Sequence, residues 1–327
     1  MSVPQYLRQI SLKIGNDQEG LDLSNLRIRF SVRRGDVSTP NTADIRVYNV
    51  SGETARKADL REFSRLVLQA GYAGNFGVIF DGTIKQVRRG RESQTDTYLD
   101  ITAADGDSAY NWAVINTSLA AGSTPEDHLQ AAMKAMESRG ITMGERPQLP
   151  TNKLPRGKVM FGMTRDYLDA LGKTQDISWS FQDGKMTLIP NTAYLPGEAV
   201  VVNSETGMVG LPEQTQNGVN VKMLLNPAVR CGRRLQINNS SIQRLRYDPS
   251  PLGESDVVRA KIQVDLDSDG FYKVLVANHV GDTRGNEWYT DVICIGVDAT
   301  ITNSGMIKAG IGVPGAIQPA GPVKPYG

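Results

Sequence analysis

The stretch STPNTADIRVYNVSGETA, Ser38 to Ala55, decides the fold class. A polar loop containing Pro40 runs into ADIRVYNV, where Ala43, Ile45 and Val47 alternate with polar positions. A period of two gives a strand one apolar face for a core and one polar face for water or a neighbour. Ser51 then stands where it can cap a short helix over GETARKADL, inside a strand connection. No group suited to catalysis lies near this strand.

The same texture extends outward on both sides. YLRQISLKI, LRIRFSVRR, RLVLQAGYA, GVIFDGTIKQV and TYLDITAAD carry β-branched or aromatic residues at period two, separated by Gly, Asn, Asp and Ser turns. Residues 1–116 are therefore expected to form a first β-barrel-like domain. Over 117–190 the pattern predicts a small α+β insert. In STPEDHLQAAMKAMESRG, Thr124 can cap a helix with Pro125 in its first position and Leu129, Ala132, Met133 and Met136 on one face, with Gly140 ending it. A second helix over TRDYLDALG turns Tyr167, Leu168 and Leu171 to a core, and ISWSFQDGKMTLI reads as a hairpin closed by Asp183-Gly184. From 191 to 298 strands return: GEAVVVN, GVNVKMLL, GRRLQIN, RAKIQVDL, GFYKVLVANHVGD and WYTDVICIGVD, with YDPSPLGESD as a loop. They predict a second β-barrel-like domain. Residues 299–327, rich in Gly and Pro, predict an extended C-terminal arm. The expected class is mainly β, two barrel-like domains flanking a helix-hairpin insert.

Lysine plus arginine (36) nearly cancel aspartate plus glutamate (35), so no net field draws the chain onto nucleic acid or an anionic membrane. Cys231 and Cys294 lack CxxC or Cys/His spacing, which argues against a disulfide framework and a zinc site and fits a reducing compartment. The N-terminus lacks a signal-peptide pattern and no apolar run is long enough to span a bilayer, so a soluble chain that does not insert into membranes is expected.

Other motifs dissolve on inspection. DLDSDG, from Asp265, opens like a calcium loop, but Val276 occupies the position that requires a bidentate glutamate, so a hairpin turn is expected. GIGVPG, from Gly310, is followed by prolines that forbid the helix a nucleotide fingerprint needs. His128 and His279 sit in no nucleophile frame and read as ordinary surface or partly buried residues. Asp105/Asp107 and Glu126/Asp127 are explained by a loop and a helix start, although two distant carboxylates that meet in space would suit a glycoside-cleaving enzyme. No cofactor or metal is expected. The basic residues Arg33, Arg34, Lys85, Arg88, Arg89 and Arg91 read either as solvated strand ends or as salt-bridge donors at a subunit interface or lumen.

There is also an internal echo. TPNTADIRVYNVS and PEQTQNGVNVKMLLNPA both place a polar loop before an alternating strand, with Ala43, Ile45 and Val47 matching Val219, Val221 and Met223. In order, TPNTADIRVYNVSGETA, VIFDGTIKQVRRGRES, FGMTRDYLDALGKTQDISWSFQDGKMTLIP and GMVGLPEQTQNGVNVKMLLNPAVRCGRRLQI resemble the baseplate hub proteins of tailed bacteriophages, especially those of contractile tails. The likeness spans roughly 20–240 and rests on the order and spacing of the four blocks. It implies a structural subunit of the virion tail rather than an enzyme. It further implies a homotrimer whose paired barrels form a pseudo-six-fold ring joining the tail tube protein to a central spike protein, with other baseplate proteins outside and DNA passing through the lumen unbound. A tail-associated peptidoglycan hydrolase and the hub of a tailocin-type contractile injection particle are the competing readings.

Overall fold

The computed structural model describes residues 6–16, 19–54, 64–215, 218–238 and 270–296. The expected strand RAKIQVDL, the YDPSPLGESD loop, the DLDSDG turn up to Asp269 and the C-terminal arm lie outside them. Thr54 N donates to Ser51 Oγ (3.1 Å), so the expected N-cap forms, and the continuation at 55–63 is outside the described residues.

The fold is mainly β. The region expected as the first domain contains β1 (Arg8–Asn16), β2 (Glu19–Asp22), β3 (Ile28–Gly35), β4 (Thr42–Tyr48), β5 (Arg65–Tyr72), β6 (Asn75–Arg91) and β7 (Thr97–Ala104). The insert contains α1 (Asp107–Trp112), β8 (Val114–Leu119), α2 (Pro125–Glu137), β9 (Thr142–Met143), β10 (Lys158–Met163), α3 (Thr164–Gln175), β11 (Ile177–Gln182) and β12 (Lys185–Pro190). The second domain contains β13 (Val200–Val202), β14 (Glu213–Thr215), β15 (Gly218–Leu224), β16 (Arg234–Ile237), β17 (Phe271–Asp282) and β18 (Trp288–Ile295).

One 13-stranded sheet runs through both β domains in the order β14-β15-β18-β17-β3-β4-β7-β6-β5-β1-β2, with β13 and β16 branching from β17. It curls, because Leu12 and Ile14 of β1 share a buried cluster with Ile28, Phe30 and Val32 of β3. A second cluster gathers Val219, Val221, Met223, Leu235, Tyr272 and Val292. The insert has a third, around Leu129, Met133, Leu168, Trp179 and Phe181.

The three cores overlap at their margins. Trp288 and Leu225, from the second domain, are buried in the first core, and Trp288 meets Phe30 edge-on at 5.4 Å. Ala109 and Ala113 belong to the core of the insert, so that core begins ahead of residue 117. Helix α2 forms on a full capping box between Thr124 and Asp127, with Leu129, Ala132, Met133 and Met136 buried as their spacing predicts. In α3, Leu168 is buried, whereas Tyr167 turns away from the core and its hydroxyl bonds the backbone of Phe161.

The strand path itself repeats. In chain order, β1, β3, β4, β5, β6 and β7 form the ladder 3-4-7-6-5-1, and β13 to β18 form the ladder 14-15-18-17-16-13. Register confirms the correspondence residue by residue. Ile45 faces Ile101 and Ile101 faces Val87, just as Val221 faces Val292 and Val292 faces Ala277. A bulge interrupts β6 between Ile84 and Gln86 and β17 between Val274 and Val276, the equivalent place in each half. One departure is that β13 runs parallel to β16, whereas β1 runs antiparallel to β5.

Candidate functional site

Two places concentrate charge: the outer face of the sheet, and the junction where the insert meets both β domains. On β3, β4, β7 and β6 the residues out of phase with the core line up across the strands. Arg29, Arg46, Asp100 and Arg88 form one row, and Ser31, Asp44, Thr102 and Gln86 the next. All of them but Gln86 floor a groove of about 210 Å³. Two of the arginines that line it, Arg46 and Arg29, are matched by carboxylates. Arg46 makes a two-pronged contact with Asp100 at 2.7 and 3.0 Å and stacks over the Tyr98 ring at 4.1 Å, while Thr102 donates to Asp44 at 3.1 Å. Arg29 reaches Glu287 at 3.7 Å.

The same device recurs in the second half. Lys222, equivalent to Arg46 by register, lies 3.8 Å from Asp291 and 4.8 Å over the Tyr289 ring. The matching sequences, Tyr98-Leu99-Asp100-Ile101 and Tyr289-Thr290-Asp291-Val292, are a second echo between the halves, four residues long and therefore faint without the strand register.

The junction is more deeply buried. Arg34, 2% exposed, donates to Ile79 O (3.2 Å), Gln182 Oε1 (3.0 Å) and Asp183 Oδ2 (2.9 Å), and Arg230 reaches the same Asp183 oxygen at 3.0 Å. One carboxylate thus ties together β3, the β11–β12 hairpin and the second β domain. Asp183 can serve because it occupies the left-handed turn position that its pairing with Gly184 predicts, at φ 57° and 77° respectively. Asn41 Nδ2 donates to Phe181 O at 2.6 Å, and the Asp105 carboxylate accepts from Gly184 N at 2.9 Å. Lys273, fully buried, sits 3.4 Å from Asp36 and donates to Pro190 O at 2.7 Å.

The six singled-out basic residues therefore part company. Arg34 is consumed inside the chain, which corrects the expectation of a surface or lumen donor. Period two carried the signal, since Arg34 is in phase with Ile28, Phe30 and Val32 on the core face. Lys85 pairs with Asp107 at 2.9 Å, binding β6 to the start of the insert. Arg33 and Arg88 line the groove, and Arg89 and Arg91 are exposed.

Neither histidine is a surface residue. His128 is 7% exposed, 3.4 Å from Ser123 Oγ, and His279 is fully buried with Nδ1 2.9 Å from Thr290 Oγ1. Burial, with Arg34 and Arg230 nearby, drops the His279 pKa to about 3, so it stays neutral. Burial lifts Asp105 to about 7, a value that suits an acid catalyst. At 2% exposure, and bonded to Gly184 N, it has no route to a substrate. Among the described residues no cluster of three or more His, Cys, Asp or Glu could hold a metal, and no helix is long and apolar enough to cross a membrane.

No family model and no curated protein matches the chain. Solved structures do share its fold. The 43 kDa tail protein of prophage MuSo2 from Shewanella oneidensis aligns with TM-score 0.57 and 6% identity, over 89% of this chain and 98% of its own. A tail protein from Neisseria meningitidis gives 0.54 and 10%, over 89% and 97%. A type VI secretion component from Escherichia coli, itself similar to the T4 phage tail proteins gp27 and gp5, gives 0.53 and 11%, over 87% and 76%. The fold of this chain is thus that of phage tail proteins.

Proposed function

We propose that this chain is a structural hub of a phage-type tail baseplate, and that three copies close into a ring. The observation that carries the reading is the doubled strand path. Two equivalent six-strand ladders in one chain become six around a three-fold axis, which suits an adaptor between a six-fold tail tube and a three-fold central spike. The fold shared with the two tail proteins supports a place in the virion tail. Its charged groove supports a conduit, because Arg46 and Arg29, already paired with carboxylates, have little to offer the phosphates of a passing duplex. The fold shared with tail proteins favours a structural part over a peptidoglycan hydrolase.

The likeness to the type VI secretion component supports the same object in a contractile injection particle as a second setting. Light scattering of the purified chain, with negative-stain images of the same peak, tests the hub reading. A trimer with a central hole is expected. A monomer that persists at high concentration with tube and spike partners present would refute it.

A further inference from the structure

The insert carries a cavity of about 410 Å³ between α2, α3 and residues 152–158, sharing no lining residue with the groove on the sheet. Its size is that of a ligand site. Met160 and Leu171 contribute to an apolar wall, and the basic groups that line it are Arg156, Lys158 and His128. No aspartate or glutamate lines it, and neither Arg156 nor Lys158 is ion-paired with a described residue. One margin of the cavity is a strand edge. Tyr167 lines the cavity, and its hydroxyl accepts from Phe161 N (2.9 Å) and donates to Phe161 O (3.2 Å), so the main-chain groups of Phe161 point away from β8. By the period of two those of Val159 point the same way, with Ser118 across the ladder as a pair that exchanges no hydrogen bonds. Among the described residues β10 pairs with β8 alone and nothing bonds the main chain of Val159, which is 77% exposed.

We propose that this margin of the insert binds an extended, acidic and apolar segment of a partner protein. The segment pairs its main chain with Val159 at the edge of β10, places one apolar side chain in the cavity and sets a carboxylate against Arg156 and Lys158. Strand addition suits such an edge, since main-chain hydrogen bonds supply affinity and pockets for alternate side chains supply specificity. Side chains of the added strand on the same face as Lys158 and Met160 point to the cavity, because both of those residues line it. Those on the other face lie beside Val159 and Phe161, which the chain itself leaves exposed. Charge selects an acidic partner, because basic groups that meet no carboxylate of their own chain attract one from outside, and the fork of Arg156 suits a two-pronged contact. The Tyr167 hydroxyl already occupies the main chain of Phe161, so the pairing is short and its register is fixed at Val159. The β8–β10 pair is a sheet of its own, outside both repeated ladders, so the site goes beyond the hub reading and does not depend on it.

The test selects an mRNA-displayed library of random linear heptapeptides on the immobilised full chain, and measures the most enriched peptide, synthesised with a fluorescent label, by fluorescence polarisation. Enriched sequences should gain Asp or Glu next to apolar residues and lose Lys and Arg. Arg156→Glu should weaken binding by about tenfold or more. Ala170→Trp, at an exposed position that lines the cavity, should do the same by filling it. Val159→Pro removes an outward N–H while leaving the β8–β10 ladder its bonds, and should also weaken binding by about tenfold. Circular dichroism and melting temperature, read on each variant, separate loss of the site from loss of the fold, and Arg156→Glu changes an exposed side chain only. No enrichment, or a peptide whose affinity is unmoved by Arg156→Glu and Ala170→Trp, would overturn the proposal. A loss with those two but not with Val159→Pro, together with full displacement by 4-phenylbutyrate, would assign the cavity to a free apolar acid and overturn the strand pairing. The trimer is read separately by light scattering, so failure here leaves the hub reading intact.

Discussion

Replacing Asp183 with asparagine should loosen the seam between the insert and the two β domains. Asparagine tolerates the left-handed backbone that Asp183 adopts and keeps one acceptor, so the change removes charge and little else. The guanidinium of Arg34, 2% exposed, then loses its counter-charge, and breaking a buried ion pair costs ~3–5 kcal/mol. Retained bonds from Arg34 to Ile79 O and Gln182 Oε1 offset part of that cost. Arg230, 41% exposed, adds under ~1 kcal/mol because water screens its share. The expected loss is about 2–4 kcal/mol. Urea unfolding followed by tryptophan fluorescence measures it, since Trp179 lies in the core of the insert. In an Arg34→Met background the same substitution should cost under ~1 kcal/mol. A loss below ~0.5 kcal/mol in the parent chain, or an undiminished loss in the Met background, would show that the pair does not hold the seam.

Three further outcomes are expected. His279 has a native pKa of about 3, below its ordinary value, so the unfolded chain binds the extra proton. Its contribution is complete above about pH 6.5 and is lost as pH falls towards 3, so the parent should lose up to ~1.4 kcal/mol per pH unit more than His279→Gln in acid titrations of stability. Gly281→Ala would place a Cβ 2.5 Å from the Phe30 ring and 2.8 Å from Trp288, and should destabilise by ~1–3 kcal/mol in the same urea assay. Cys231 and Cys294 are buried, and burial pushes the Cys231 thiol up to about 12 and Cys294 higher still. Neither should react with a thiol reagent until the chain unfolds, so native-state labelling at the unfolded rate would contradict the buried placement.

How much of this was legible in the sequence depended on whether a strand buries one face or two. In β4 and β15 one face is buried, so alternation exposed both the strands and their kinship through Ala43, Ile45, Val47 and Val219, Val221, Met223. In β17 both faces are covered, and the polarity of Lys273 and His279 misleads, because each is fully buried, Lys273 against Pro190 O and His279 against the hydroxyl of Thr290. The β8–β10 pair escaped notice for the opposite reason. Its Val159 and Phe161 are 77% and 71% exposed, so apolar residues there mark no core. The Asp183 seam joins β3, the β11–β12 hairpin and the second domain, and no local pattern records a contact made across such separations.

The repeated ion pair makes the chain its own control experiment. Arg46–Asp100–Tyr98 and Lys222–Asp291–Tyr289 occupy corresponding positions on equivalent ladders, yet one holds a forked cation at 2.7 Å and the other a point charge at 3.8 Å. Exchanging the two cations by Arg46→Lys and Lys222→Arg would separate what the side chain contributes from what its surroundings contribute. Two proteins are ordinarily needed for that comparison, and this one offers both settings within a single cooperative molecule.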